Sequence, residues 1–302
     1  MPNFLSIGEC MIELASLGGD TMRKGFAGDT FNTAWYAGAF RPEGWTIDYF
    51  TALGDDRASD EMLDFIQAAD VGTGHVRRLP GKAPGLYMIH LDKGERSFSY
   101  WRSVSAAREL ANDRDALASA IDAADIVYFS GITLAILPPE GRKTLIALAR
   151  AARQDGKTVA FDPNIRPRLW ASKEEMLATI AEAAGTASIV LPGFDDEAAH
   201  FGDSSIAEAI ARYRRFGAGD VVVKDGERGA TLAIGREQFH VPSHPAAMVV
   251  DTTSAGDSFN GGYLMRLAAG DTPEAAARFA ARVASAVIGH PGALIRRRTL
   301  GL

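Results

Sequence analysis

An α/β fold on a mainly parallel sheet, with helices on both faces, is what the ordering of apolar patterns predicts for this 302-residue chain. Two observations carry the prediction. Short apolar runs of strand length alternate with longer stretches whose apolar residues recur every three or four positions, and strand–helix–strand alternation closes as parallel pairs covered by helices. Two segments, residues 10–27 and 83–102, break that rhythm with two-residue alternation and hairpin signals, which adds a small antiparallel sheet.

Taken in order, FLSIG at 4–8 is the first buried strand. The first interruption, CMIELASLGGDTMRKGFA, turns at Gly18-Gly19, and SDEMLDFIQAAD follows it with helical spacing. The second interruption, APGLYMIHLDKGERSFSYWR, turns at Asp92-Lys93-Gly94. Further strands are ADIVYFSG at 124–131, KTVAFDP at 157–163, SIVLP at 188–192 and DVVVKDG at 220–226, each closing on Gly, Pro or Asp. Between them PPEGRKTLIALARAARQDG, SKEEMLATIAEAAG and SIAEAIARYRRFG have helical spacing, with Gly at several ends. The Ala-rich TPEAAARFAARVASAVIGH at 272–290 is the last helix, expected to pack on the helix after Asp257, and Pro291-Gly292 ends it. A small sheet on the carboxyl edge of such a core makes a lid over a ligand crevice. No repeat, low-complexity tract or linker divides the chain, so a single domain over 1–302 with an inserted lid is expected.

Composition narrows the function. With 47% hydrophobic and 23% charged residues the chain reads as an ordinary globular protein with a full core. A formal net charge of −6 argues against nucleic acid or an anionic membrane as partner, while leaving room for a local basic pocket. The lone cysteine, Cys10, forms no internal disulfide and reads as a small buried filler in a reducing compartment. MPNFLSIGEC lacks the charged start and long apolar run of a signal peptide, and no later stretch approaches the ~18 apolar residues of a membrane span, so a cytoplasmic location is expected.

The most informative stretch is DTTSAGDSFNGGYL, Asp251 to Leu264. Ala255 and Gly256 are small enough for a tight turn, after which backbone N–H groups converge at a helix N-terminus carrying roughly half a positive charge. Asp257 stands beside that anion hole, positioned to take a proton from an attacking hydroxyl. An anion hole with a base is the minimum equipment for moving a phosphoryl group to an alcohol. The same Asp reads, taken alone, as a plain helix N-cap.

Two motifs in order decide between these readings. Ala27-Gly28-Asp29-Thr30-Phe31-Asn32 resembles the N-terminal signature of the ribokinase-type (PfkB) carbohydrate kinases, and Asp251-Thr252-Thr253-Ser254-Ala255-Gly256-Asp257 resembles their D-T-x-G-A-G-D signature; the two lie roughly 225 residues apart. The resemblance runs from the first strand to about Leu294 and implies a three-layer αβα ribokinase-like core with a β lid. Within that family the chain is most similar to 2-keto-3-deoxygluconate kinases: Tyr100-Trp101-Arg102-Ser103 with Ser105-Ala106-Ala107 resembles their Y-W-R-x-x-S-A-A stretch, Asp162-Pro163-Asn164-Ile165-Arg166 their D-x-N-x-R segment, and Phe259-Asn260-Gly261-Gly262 their tail to the catalytic turn.

The resemblance implies a role for each matching residue. Asp257 is the base, with the N–H groups of Ala255, Gly256 and Asp257 and the neighbouring Ser254 forming the anion hole. Gly28, Asp29 and Asn32 approach the sugar hydroxyls, Tyr87 and Tyr100 are lid contacts, and Glu9 stands at the end of the first strand. Arg102 and Arg166 meet the carboxylate that distinguishes a sugar acid from a hexose, since the guanidinium fork matches that group. For ATP, Lys224-Asp225-Gly226-Glu227-Arg228-Gly229 resembles a K-x-G-x-x-G turn, equally readable as a hairpin; Asn164, Ser254 and Gly256 complete the expected nucleotide contacts, and Ala286 to Ala293 borders the adenine. ATP brings Mg²⁺, and a monovalent cation, K⁺, is implied near Asp251 and Thr253.

Two positions depart from the family. Ser254 replaces a Gly, at a backbone angle that Gly adopts without strain. The N-x-x-E segment expected to organise Mg²⁺ is replaced by Gly193-Phe194-Asp195-Asp196-Glu197, where either Asp196 or Glu197 takes the acidic role. Competing readings are a fructokinase or other sugar kinase of this architecture, and a catalytically silent sugar or nucleotide sensor. The unpaired edges of a lid sheet make lid-to-lid association of two copies the expected oligomer.

Overall fold

The computed structural model describes residues 1–92 and 95–302, so Lys93 and Gly94 of the expected second hairpin turn lie outside the described residues. The chain opens with β1 (Asn3–Ile7), the hairpin β2 (Met11–Gly18) and β3 (Thr21–Ala27), helix α1 (Asp29–Phe40), β4 (Thr46–Phe50) and β5 (Ala52–Leu53). Then come α2 (Arg57–Ala68), β6 (Arg77–Arg78), β7 (Gly85–Asp92) and β8 (Glu95–Trp101). The middle alternates through α3 (Arg114–Asp122), β9 (Ile126–Ser130), α4 (Gly131–Ile136), α5 (Pro139–Gln154), β10 (Thr158–Asp162), α6 (Lys173–Ala184), β11 (Ile189–Val190), α7 (Phe194–Phe201), α8 (Ile206–Arg215) and β12 (Asp220–Lys224). The end holds β13 (Ala230–Ile234), β14 (Glu237–Val241), α9 (Ala255–Ala268), α10 (Pro273–Ile288) and α11 (Arg297–Leu300).

Eight of the described strands form the main sheet in the order β14-β13-β12-β11-β10-β9-β1-β4. It is parallel from β4 to β12, and the two pairings made by β13, with β12 and with the edge strand β14, are antiparallel. Side chains on its central strands alternate between two cores, as the two-residue period of a strand requires. Leu5, Ile7, Val127, Phe129, Val159 and Phe161 face one core with Leu117, Leu145, Ile180 and Ile210 of α3, α5, α6 and α8. Phe4, Ile126, Tyr128 and Ala160 face the other with Phe31, Ile66, Leu264 and Val283 of α1, α2, α9 and α10. Apolar on both faces, such strands read as continuous hydrophobic runs, which is why they stand out in the sequence. The strand β4 and the helices α1, α3, α4 and α7 carry weaker patterns and are additions to the sequence reading.

A second sheet, β3-β2-β7-β8, holds the segments that break the α/β rhythm. Each hairpin is antiparallel, but the two are joined by a parallel pairing of β2 with β7. The excursion through α1 to β6 returns the chain to the same end of β2, which makes that central pairing parallel.

Close packing of α9 aligns the site. A Cβ on Gly261 would stand 2.7 Å from the Thr33 carbonyl oxygen and 2.9 Å from the Ala37 nitrogen of α1, so only a glycine lets the two helices approach this far. Asn32 and Asp257, at the N-terminal ends of those helices, therefore come within hydrogen-bonding reach.

Candidate active site

Two strand ends meet the crevice: Asp162 closes β10 and Lys224 closes β12, with β11 between them in the sheet. With the first turns of α1 and α9 they border a cleft of about 560 Å³ under the second sheet, at the carboxyl edge where open α/β sheets bind ligands.

One end of the cleft is built around α9. Ser254 takes a left-handed conformation, φ 65°, and turns the chain into the helix. The Ala255 N–H turns back to the Thr252 carbonyl at 3.3 Å, so the N–H groups of Gly256 and Asp257 lead the helix into the cleft. Asn32 Nδ2 donates to Asp257 Oδ2 at 2.8 Å. Asn32 is itself fixed by Gly28, whose carbonyl accepts from the Asn32 N–H at 2.7 Å. Gly28 is demanded by close approach, because a Cβ there would lie 2.1 Å from the Glu9 carbonyl oxygen.

Behind this end lies a chain of buried polar groups. Asn164 Nδ2 donates to Asp29 Oδ2 at 2.9 Å, while its backbone N–H donates to Asp162 Oδ1 at 3.0 Å. This double duty accompanies the unusual positive φ of Asn164, 33°. Lys224 Nζ donates to Asp162 Oδ2 at 2.8 Å and to Asn260 Oδ1 at 3.1 Å, and Asn260 Nδ2 returns to Asp162 Oδ2 at 2.6 Å.

Burial governs the acids. It pushes the Asp257 carboxyl up to about 7, with Asp29 and Asp162 adding repulsion and the Asn32 bond and Lys224 working against it. Asp29 is raised by burial too, against the bonds from Ser130 and Asn164. An acid poised near neutrality at a helix N-terminus is what general-base chemistry requires.

Several expected residues sit elsewhere. Glu9 and Arg102 form a buried ion pair with each other, with Ser105 donating to the same carboxylate, and neither lines the cleft. Tyr87 presents its ring to the cleft, but its hydroxyl donates to the buried Glu13. Tyr100 is exposed and lines the cleft, its ring tilted against that of Tyr87. Arg166 lines the cleft from the loop after β10, with Nη1 3.4 Å from Asp196 Oδ2.

The acids of the GFDDE segment point different ways, and Asp195 lines the cleft beside its neighbour. Asp196 faces the cleft. Glu197 is fully buried on the other side of α7, accepting from Arg212 Nη2 at 2.6 Å and Tyr213 OH at 2.9 Å, so it does not face the cleft. Among the described residues no three His, Cys, Asp or Glu side chains cluster as a metal cage. One cleft carboxylate fits Mg²⁺, which takes most of its ligands from phosphate oxygens and water.

Gly226 and Thr253 line the cleft, whereas Gly229 closes the turn under β14. The K-x-G-x-x-G segment is both things at once, a turn at the cleft and the β12–β13 hairpin. Asp251 is buried and accepts from the N–H groups of Thr253 at 3.0 Å and Gly292 at 2.7 Å, clasping the loop behind the anion hole. Sequence reading quoted Asp162 and Asn260 inside motifs without giving either a role; Asp162 at the end of an apolar strand run was the available signal. No described helix is long and apolar enough to cross a membrane.

The chain belongs to the pfkB family of carbohydrate kinases, whose pattern it matches over residues 1–299. It is 42% identical over 301 residues to the 2-dehydro-3-deoxygluconokinase of Escherichia coli (strain K12), covering 97% of this chain and 97% of that protein. A PfkB protein from Polaromonas sp. JS666 superposes with a TM-score of 0.85 at 27% identity, covering 100% of this chain and 99% of that one. A putative ribokinase II from E. coli, solved in complex with ATP and Mg²⁺, superposes with a TM-score of 0.85 at 21% identity, over 100% of this chain and 98% of that one. The protein is a carbohydrate kinase with a ribokinase-like core and lid.

Proposed function

We propose that the protein transfers the γ-phosphoryl group of ATP to the primary hydroxyl of 2-keto-3-deoxygluconate, giving the 6-phosphate and ADP. The observation that carries this reading is the Asn32-held Asp257 carboxylate at the N-terminus of α9, raised to about 7 by its burial. The identity to a 2-dehydro-3-deoxygluconokinase supports the choice of substrate.

In the proposed step Asp257 accepts the hydroxyl proton as the substrate oxygen bonds to the γ-phosphorus. The bond from that phosphorus to the β,γ-bridging oxygen breaks, and ADP leaves with the electron pair. The N–H groups of Gly256 and Asp257 hold the charge on the group in transit. Asp196 would hold Mg²⁺, which neutralises phosphate charge when bound. Asp29 and Asn32 orient the sugar hydroxyls, and the Arg166 fork meets the carboxylate of the sugar acid. Arg102 joins it only where lid closure separates its side chain from Glu9.

The test is ADP release with Mg-ATP and a panel of 2-keto-3-deoxygluconate, its galactonate epimer, fructose and ribose. Turnover confined to the keto acids supports the reading. Turnover of fructose or ribose instead keeps the kinase and rejects the carboxylate-reading arginine. Silence over the whole panel, with ligand still bound, favours the sensor.

A further inference from the structure

Lys224 has more to do than its place in a turn suggests. Its ammonium is mostly buried, and it offers three N–H donors. Two are used, toward Asp162 Oδ2 at 2.8 Å and Asn260 Oδ1 at 3.1 Å. Asp162 and Asn260 are themselves buried and bonded to each other at 2.6 Å, and Asn260 Nδ2 also donates to the Tyr128 hydroxyl at 3.2 Å. That closed triangle fixes the position of Nζ. The ammonium lies 3.4 Å from where a Cβ on Gly256 would stand, hard against the residue whose N–H leads α9 into the cleft. Lys224 also lines the cleft, which leaves its remaining N–H available to a ligand there.

We propose that Asp162 and Asn260 are positioning residues that hold the Lys224 ammonium beside the α9 anion hole, where its third N–H neutralises charge on the phosphoryl group in transit. The inference rests on the phosphoryl-transfer reading given above. A cation fixed in advance needs no reorganisation as charge develops, which is the condition under which such a contact raises kcat rather than only tightening binding. Asp162 pairs with the ammonium at 2.8 Å, and Asn260 keeps it from swinging out along its flexible stem.

The test is a double-substitution cycle on the full chain with Mg-ATP and the keto acid, read as kcat and KM separately. Lys224→Met lowers kcat by roughly 100-fold with sugar KM within about threefold of wild type. Asp162→Asn lowers kcat about tenfold, and the double variant is no slower than Lys224→Met alone, because Asp162 acts through the lysine. Asn260→Ala serves the same cycle where Asp162→Asn fails to fold by thermal melting. Independent, multiplying losses overturn the positioning role, and Lys224→Met retaining more than about a tenth of wild-type kcat overturns the lysine's part. Calorimetry with Mg-AMP-PNP separates the two failures. If wild type turns over no sugar, the substrate reading has failed. An AMP-PNP affinity about tenfold weaker in Lys224→Met then still upholds the lysine contact, and equal affinities reject it.

Discussion

The two sides of the cleft are built on opposite plans. On the core side Asp257, Asn32, Asp29, Asn164, Asp162, Asn260 and Lys224 are tied by hydrogen bonds of 2.6–3.1 Å across α1, α9 and the ends of β10 and β12. On the lid side Tyr100 is exposed, Tyr87 spends its hydroxyl on Glu13, and Arg102 is held by Glu9. The core half is preorganised by its own hydrogen bonds, whereas the polar groups of the lid are exposed or paired among themselves. Substitutions in that bonded network should therefore strike kcat, and those in the lid or at Arg166, on the loop beside the network, KM and substrate choice.

The sharpest way to break that comparison is Asp257→Asn. It should cost ~10²–10⁴-fold in kcat with sugar and nucleotide affinity nearly unchanged, and retention of a tenth of wild-type turnover would remove Asp257 as the base. Wild-type kcat/KM should fall on the acid side of about pH 7, where the Asp257 carboxyl becomes protonated and accepts no proton. Its raised value also has a sign for stability. The folded state holds that proton more tightly than the unfolded chain does, so stability from this group is present below pH ~4 and lost as pH rises toward 7. Asp257→Asn should accordingly melt higher than wild type at pH 8, by about 2–4 °C, while remaining inactive.

The arginines sharpen the comparison next. Arg166→Ala should raise KM for the keto acid by ~10–100-fold, since a charge-assisted bidentate contact is lost, and should leave kcat within a few-fold. Arg102→Ala measured beside it reads the lid: a KM rise of the same size means Arg102 leaves Glu9 for the substrate, and a fall in melting temperature with unchanged KM means it serves only the buried pair.

A third test lies outside the cleft. Glu197→Ala removes the side chain that joins Arg212 and Tyr213 in a buried cluster with Asp203 and should cost about 3 kcal/mol of stability, with kcat within twofold of wild type. A loss of kcat that added Mg²⁺ restores would return Glu197 to the metal.

What was legible in the sequence follows the same division. The strands buried on both faces announced themselves as apolar runs, and the turn into α9 was legible because Ser254 to Asp257 are contiguous. The Asp162–Lys224–Asn260 triangle was not, since its members are far apart in the chain and each has a local explanation as a strand end, a turn or a helix residue. The pairing of Glu9 with Arg102 was hidden for the same reason: the two charges are far apart in the chain, and only the β2–β7 and β7–β8 registers together bring them into contact. Asp196 and Glu197 differ by one position and about 100° around a helix, enough to send one into the cleft and the other into the core.

The smallest expected effect concerns Ser254, and it probes how finely the rigid half is tuned. At φ 65° a serine is strained where glycine is not, and its hydroxyl is buried without a hydrogen-bond partner. Both features cost stability, by about 1–2 kcal/mol together, while glycine loses about 0.5–1 kcal/mol through its greater freedom in the unfolded chain. Ser254→Gly should thus raise the melting temperature by only about 1–3 °C and leave kcat within threefold. A tenfold fall in kcat in the same variant would mean that the hydroxyl turns toward the phosphoryl group during the reaction. The departure from glycine would then be a further donor beside Gly256, Asp257 and Lys224, not a tolerated strain.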